Sequence, residues 1–202
     1  MAKAKVSIPL DIPEVEVLKT ETNAKGEYII TIESTKKTTI CRRCGREITK
    51  LHGHDGWVTL RYLPVFGRPT YLRYRPKRYI CEYCDDHPTT TQRVEWHEPK
   101  SPNSRDYEQF ILLQLVNSTI ADVAMKESLG YDCIEGIIER QISGEVNWWQ
   151  YRDLNRIGMD EIAIRKGHRD FVVIVTARKN GRISILGVLP DREKSTVVGF
   201  SL

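Results

Sequence analysis

Short runs of β-branched and aromatic residues mark the first half of the chain as rich in strands. These runs are residues 28–32, 57–63 and 70–81. Segment 64–69 contains glycine and two prolines, so the second and third runs are predicted to form a hairpin. Because side chains alternate along a strand, Tyr71, Arg73 and Arg75 share one face, and Leu72 and Tyr74 share the other.

Apolar spacing becomes helical after the polar, proline-containing segment 98–104, which is the best linker candidate. Residues 105–117 predict one helix. Ser118 is a plausible N-cap for a second helix, which ends near Gly130. Asp132 could cap a third helix that runs through Ile142. The second and third helices resemble a helix-turn-helix, although any helical hairpin gives a similar pattern.

Three further strand-like runs occupy residues 157–164, 171–177 and 183–189. Asn180-Gly181 joins the last two and is a strong hairpin signal. A sheet of three strands would leave an apolar edge and an uncovered face. We therefore expect marginal order or association after Asn155.

Composition indicates a soluble globular protein: 40% of the 202 residues are apolar, 29% are charged, and the net charge is +4. No apolar run approaches the ~20 residues that cross a bilayer, so no membrane partner is expected. The N-terminus lacks a signal-peptide core. These features favour the cytoplasm, where cysteines more often bind metal or lie buried than form disulfides.

Positive charge is concentrated in one segment. Residues 36–84 carry 12 basic and three acidic side chains, a net of +9. Such a stretch is typical of proteins that bind a phosphate backbone, and equally of a solvated basic face. The candidate DNA contacts are Arg42, Arg43, Arg61, Arg73, Arg75, Lys77 and Arg78.

Two Cys-x-x-Cys motifs predict a metal site. Cys41 and Cys44 form the first pair, Cys81 and Cys84 the second, and four thiolates complete a tetrahedral zinc shell. The hairpin between the pairs accounts for their wide separation. A closed four-sulfur site is structural, because it leaves no open position for water. The alternative is that the cysteines are unrelated.

Other residues could also be considered as ligands. Three nearby histidines could replace a cysteine, namely His52, His54 and His87. Cys133 is interpreted as a buried apolar residue.

The third predicted helix is a poor DNA reader, since Arg140 is its only cation beside Asp132, Glu135 and Glu139. Both DNA readout by this helix and a structural or dimerising role remain open.

The order of these motifs resembles the ISL-three type of bacterial and archaeal insertion-sequence transposases. The resemblance covers roughly residues 40–200. It rests on the sequence Leu-Pro-Val-Phe-Gly-Arg-Pro at 63–69 and on Gly-Met-Asp-Glu-Ile-Ala-Ile-Arg-Lys-Gly-His at 158–168.

The resemblance implies binding to the terminal inverted repeats of an element, in double-stranded DNA, and DNA cutting and joining by a ribonuclease H-like domain. In that domain three acids hold two divalent metals, Mg or Mn, and Asp160 matches the first acid. Asp170, Asp191 and Glu193 do not match the others. We therefore expect a truncated transposase that is inactive alone.

The resulting fold class is multi-part α+β, in four parts. Residues 1–35 are a loose extension with one strand, and 36–97 a zinc-ribbon β-hairpin module. Residues 98–155 are the linker and helix-turn-helix-like helices, and 156–202 a truncated, three-stranded ribonuclease H-like piece. Two alternatives to the truncated enzyme remain. One is a non-enzymatic DNA-binding repressor, which pairs with itself or with a full-length transposase. The other is an unrelated zinc-ribbon interaction module.

Overall fold

The structure is a computed structural model that describes residues 9–142, 154, 156–164, 171–179 and 181–200. It divides the chain into two units, Met1–Asp106 and Tyr107–Leu202, called here the N-terminal and C-terminal units. This division falls within the third of the four parts predicted from the sequence. Asp170, Asn180 and most of segment 143–155 lie outside the described residues.

Strands dominate the N-terminal unit. Its described residues form β1 (Val15–Thr22), β2 (Tyr28–Ser34), β3 (Thr39–Ile40), β4 (Glu47–Ile48), β5 (Leu51–His54), β6 (Val58–Val65), β7 (Arg68–Tyr74), β8 (Lys77–Ile80) and β9 (Thr89–Thr91).

A four-stranded sheet in the order β1-β2-β7-β6 contains the larger core of this unit. The alternation predicted for β7 is observed: Leu72 and Tyr74 are buried on one face, together with Leu60 of β6 and Ile32 of β2. Trp96 covers them, with its ring centroid 4.7 Å from that of Tyr74. The opposite face, called here the outer face, carries Tyr71 and Arg73 of β7 and their cross-strand neighbours Arg61 and Thr59 of β6.

The first 35 residues contain two strands, where the sequence predicted one. β1 pairs with β2 in an antiparallel hairpin. Its turn is closed by the Asn23 side chain, which accepts hydrogen bonds from the backbone N–H groups of Lys25 and Glu27. Most of β1 is exposed, including Val17 and Leu18, so it lacks the buried apolar face that would reveal a strand in the sequence.

The other strands of the predicted module 36–97 form separate small sheets, one of β3 and β4 and one in the order β5-β8-β9. The hairpin expected between the two cysteine pairs is present as β6 and β7, but these strands belong to the four-stranded sheet. The run predicted as one strand over 70–81 is interrupted at Arg75 and Pro76. Proline has no backbone N–H, and the Pro76 carbonyl accepts a hydrogen bond from the Asp55 N–H instead.

The C-terminal unit combines helices with a three-stranded sheet. The helices and strands are α1 (Arg105–Leu115, which begins two residues before the unit), α2 (Ile120–Glu127), α3 (Tyr131–Ile142), β10 (Arg156–Ala163), β11 (Phe171–Lys179), β12 (Arg182–Leu189) and α4 (Lys194–Phe200).

Both faces of this sheet are packed, contrary to the uncovered face expected from the sequence. The strands are antiparallel in the order β10-β11-β12, with the predicted hairpin between β11 and β12. Residues of α1, α2 and α3 pack with Ile174 and Val188 on one face. Val197 and Phe200 of α4, with Leu154, pack against the other face. No helix in the described part of the chain is both long and apolar enough to span a bilayer.

Candidate functional site

The first cysteine pair lies in a tight turn between β3 and β4. The Cys41 N–H donates to the Arg46 carbonyl at 2.8 Å, and the Gly45 N–H donates to the Cys41 carbonyl at 3.0 Å. Gly45 has a φ of 71°, a left-handed conformation that residues with a Cβ adopt at a cost. This turn brings Cys41 and Cys44 to the same point.

The second pair follows β8. The Cys81 N–H donates to the Pro88 carbonyl, and the His87 N–H donates to the Cys84 carbonyl, each at 3.0 Å. The Nδ1 atom of His87 lies 3.0 Å from the Cys81 carbonyl oxygen, so this ring supports the turn. Among the described residues, His87 is not one of those whose ligand atoms gather with the four sulfurs.

The four sulfur atoms have the spacing of a tetrahedral zinc shell. All lie within 4.8 Å of one another, and Cys81 Sγ is 3.7 Å from both Cys44 Sγ and Cys84 Sγ. Zinc–sulfur bonds of about 2.3 Å require sulfur atoms about 3.8 Å apart in a tetrahedron. The donor set and spacing fit zinc, and thiolates are soft ligands that Mg²⁺ and Ca²⁺ avoid.

Thiol acidity within the cluster is uneven. Backbone N–H groups of Cys44 and Arg43 donate to the Cys41 sulfur and lower its pKa to about 6. Burial, followed by hydrogen bonds with neighbouring thiols, raises the pKa of Cys84 to about 12. Burial also raises the pKa of Cys81. Without a cation the cluster holds its protons on several sulfurs, whereas a bound metal deprotonates coordinating thiols.

The other candidate ligands are not part of this cluster. Among the described residues, the potential metal-binding group contains the four cysteines and no histidine or carboxylate. His52 and His54 lie on β5. Cys133, predicted to be buried, is partly buried and packs against the helical core of the C-terminal unit.

The predicted DNA-binding cations occupy different settings. On the outer face, the Arg61 guanidinium lies over the Tyr71 ring at 5.2 Å, and its Nη1 donates to the Tyr71 hydroxyl. Arg73 lies 4.5 Å from the ring centroid of Trp57, and Arg75 lies 5.8 Å from it. Trp57 is 52% exposed, so an exposed aromatic ring stands between two cations.

The remaining predicted cations are mostly engaged with acidic or polar partners. Lys77 is largely buried, 3.2 Å from Glu33, and also donates to the Ser34 carbonyl. Arg78 contacts Asp55 and donates to the Thr89 hydroxyl. Arg43 pairs with Asp86 on the surface. Arg42 is exposed.

Two exposed residues of the N-terminal unit, Trp57 and Arg93, were not among the predicted DNA contacts. Trp57 was interpreted only as the start of a strand, although the hairpin register places this residue, directly before β6, beside Arg73 and Arg75 at the end of β7. Arg93 lies in segment 85–150, which carries five basic and 12 acidic side chains, so counting charge by segment did not reveal it. A hairpin alignment could have found Trp57, but no sequence signal points to Arg93.

Asp160 lies near the middle of β10, opposite Ile174, and is half-buried. Its Oδ2 accepts a hydrogen bond of 2.7 Å from the backbone N–H of Asn117, which follows α1. Nearby, a Cβ on Gly158 would lie 2.6 Å from Thr176 Oγ1, so close strand contact explains this glycine of the family motif. Among the described residues, no group of three metal-binding side chains includes Asp160.

The helical pair α2 and α3 is present with different end residues from those predicted. Thr119 rather than Ser118 is the N-cap of α2, and its Oγ1 accepts from the Asp122 N–H at 3.1 Å. Ser128 ends α2 in a left-handed conformation with φ of 53°. Asp132 and Glu139 are exposed on α3, and Arg140 binds the buried Glu108. The exposed charge of α3 is therefore mainly acidic.

Comparison with known proteins gives the cysteine cluster its context. Residues 37–84 match the family model of the zinc-finger of transposase IS204/IS1001/IS1096/IS1165. This segment is an ISL3-type zinc ribbon. It contains all four cysteines, and the resemblance inferred from the sequence motifs is confirmed.

A relative extends the similarity beyond the zinc ribbon. The transposase for insertion sequence element IS1001 from Bordetella parapertussis is 25% identical over 171 residues. The aligned region covers 85% of this chain and 41% of the relative, so the chain spans about two fifths of the length of that curated transposase. No solved structure matches the chain.

Proposed function

We propose that this chain is the DNA-binding part of an insertion-sequence transposase, with a structural zinc ion in the ISL3-type ribbon. The observation that carries this proposal is the tetrahedral cysteine cluster inside a segment that matches a transposase zinc finger. The alignment with the IS1001 transposase, which continues well past the ribbon, supports the same assignment.

The outer face is the proposed surface for the DNA backbone. Arg73 and Arg75 flank the exposed ring of Trp57, and Arg61 lies beside Tyr71 on the same side of the sheet. A guanidinium that rests on an aromatic ring keeps edge N–H groups available for phosphate oxygens, and the ring restricts its motion. The partly buried, paired Lys77 is better suited to holding the sheet than to contacting DNA.

The proposed target is double-stranded DNA at the terminal inverted repeats of the element, with a second copy or a full-length transposase as a further partner. The family resemblance supports both proposals. Phosphate contacts supply most affinity and little sequence discrimination, so recognition of the repeats needs additional groups that meet base edges.

We further propose Asp160 as the first acid of a ribonuclease H-like catalytic site that binds Mg²⁺ or Mn²⁺. Its position on β10, the first strand of the C-terminal sheet, supports this role. The described residues bring no second and third acid to it, so we expect no metal-dependent strand cleavage by the 202-residue chain. Cleavage that disappears in Asp160→Ala would contradict this expectation.

Salt-dependent binding tests the DNA-binding function. The zinc-loaded chain should bind labelled element-end duplex in fluorescence anisotropy, with affinity that falls linearly on a log–log plot against salt. The variant Arg73→Gln/Arg75→Gln should reduce the slope by up to about 1.8, since each phosphate contact contributes about 0.9. Arg68→Gln, at the tip of the β6–β7 hairpin, is the matched control outside the outer face. Binding that is absent, or unaffected by salt, would refute the proposed function.

A further inference from the structure

A polar cleft of about 640 Å³ lies within the N-terminal unit. One side is formed by β9, with its three consecutive threonines Thr89–Thr91. The apolar part of the lining includes Val58, Pro76 and Val94. Its volume falls in the range of clefts that hold small molecules, about 300–1,000 Å³.

Three arginines line this cleft: Arg42, Arg78 and Arg93. Arg78 is held by Asp55 and by the Thr89 hydroxyl. Within the part of the chain that the structure describes, Arg42 and Arg93 form no ion pair. Both are exposed, so a ligand could reach them directly.

The acidic side of the lining is already satisfied. Asp55 is the single carboxylate among the lining residues. It accepts a hydrogen bond from the Thr91 hydroxyl and pairs with Arg78. Arg42 and Arg93 therefore leave the cleft with an uncompensated charge of about +2, which attracts an anion.

The cysteine cluster positions the backbone of one of these arginines. Arg42 directly follows the zinc ligand Cys41, and its backbone N–H donates to the Thr90 hydroxyl at 3.2 Å. His97, another lining residue, is held between the Tyr74 hydroxyl and the Ser101 carbonyl. A rigid lining reduces the entropy lost when a charged ligand binds.

We propose that this cleft binds a phosphodiester segment of the DNA strand through Arg42 and Arg93. This inference rests on the proposed DNA-binding function and adds a second contact surface to the outer face. The cleft is larger than one phosphate ion requires, and its apolar residues suit the sugar that joins successive phosphates. Guanidinium groups bind phosphate oxygens through paired N–H donors.

Titration of the zinc-loaded full chain, followed by NMR of the arginine Nε–Hε groups, tests the ligand class. A dinucleoside monophosphate should shift the Arg42 and Arg93 signals and leave Arg68 unchanged. Inorganic phosphate at the same concentration should have little effect. Equal shifts with inorganic phosphate would assign the cleft to free phosphate, and no shift with either would overturn the proposal.

Duplex binding separates this inference from the function on which it rests. Arg42→Gln/Arg93→Gln should lower the salt slope by up to about 1.8 relative to wild type, whereas Arg68→Gln should retain it. If the double variant keeps the wild-type slope, the cleft proposal is wrong while DNA binding stands. If the wild type binds neither duplex nor dinucleotide, both proposals fail. A circular dichroism spectrum and zinc content equal to wild type exclude misfolding as the cause.

Discussion

The thiols of Cys41 and Cys84 belong to one cluster, yet their pKa values are displaced in opposite directions. Backbone N–H groups stabilise the Cys41 thiolate, whereas burial and neighbouring sulfur atoms oppose charge on Cys84. A divalent cation resolves this conflict because it compensates the charge of all four sulfurs together. Zinc binding and local folding of the ribbon are therefore coupled.

Loss of one ligand should break this coupling. We expect Cys44→Ser to lose zinc and to destabilise the ribbon. Structural zinc supplies about 10–16 kcal/mol of folding free energy in zinc-finger peptides, and the variant should lose part of a contribution of that size. Metal content by mass spectrometry and thermal unfolding measure the two effects. Cys133→Ser is the control, because Cys133 lies outside the cluster. Full zinc retention in Cys44→Ser would show that the cluster is not the metal centre.

Asp160 has a structural contact that can be measured apart from any catalytic role. Its carboxylate accepts the Asn117 N–H, and a hydrogen bond to a charged group contributes about 1.5–3 kcal/mol. We expect Asp160→Ala to lower the free energy of unfolding by about that amount. Asp160→Asn should lose less, since an amide oxygen can still accept. Denaturant unfolding of both variants checks this, and equal losses would contradict a hydrogen-bonding role.

At the scale of helices and strands, the alternation of buried and exposed side chains along strands was predictable. The residues at which helices begin and end were not. The inward residues of β7 follow from apolar periodicity, and the β11–β12 hairpin follows from the Asn180-Gly181 turn signal. Ser118 and Thr119 are both good capping residues, so the sequence alone could not choose between them. The edge strand β1 and the short helix α4 have few buried residues, and periodicity carries little information about such elements.

The N-cap of α2 gives a direct test of that choice. Thr119→Ala should destabilise the protein by about 1 kcal/mol, because the Asp122 N–H loses its acceptor. Ser118→Ala removes a neighbouring hydroxyl that does not cap the helix, and should cost much less. Chemical denaturation of the two variants compares them. A larger loss for Ser118→Ala would restore the cap predicted from the sequence.

For the whole molecule, the sequence indicated the metal centre and its basic surroundings. It did not indicate which cations form ion pairs and which lie beside aromatic rings. Arg42, Arg43, Arg61, Arg73, Arg75, Lys77 and Arg78 look equivalent in a charge count. In three dimensions, Lys77 and Arg78 have ion-pair partners, while Arg73 and Arg75 flank Trp57. The cleft is lined by residues spread from 42 to 99, so no local motif could reveal it.

The buried clusters of the chain predict how far the effect of zinc removal extends. The cluster around Tyr79 and Ile48 is small and includes the zinc ligands Cys41 and Cys81. The core around Leu60 and the helical core of the C-terminal unit contain none of the four ligands. Chelation should therefore abolish amide protection in β8 and β9, reduce it little in β6 and β7, and leave β11 unchanged.

Hydrogen exchange with mass spectrometry measures these differences between zinc-loaded and chelated protein. Zinc added back after chelation should restore protection in β8, which separates a reversible metal effect from aggregation. Loss of protection in β11 at the same chelator concentration would mean that the metal stabilises the chain beyond its own cluster. Unchanged protection in β8 would mean that the Tyr79 cluster holds without zinc. The expected differences in amide protection follow from burial. Leu60 and Leu72 are fully enclosed by apolar neighbours. Tyr79 instead packs in a small cluster, and the zinc ligands form a large part of that cluster.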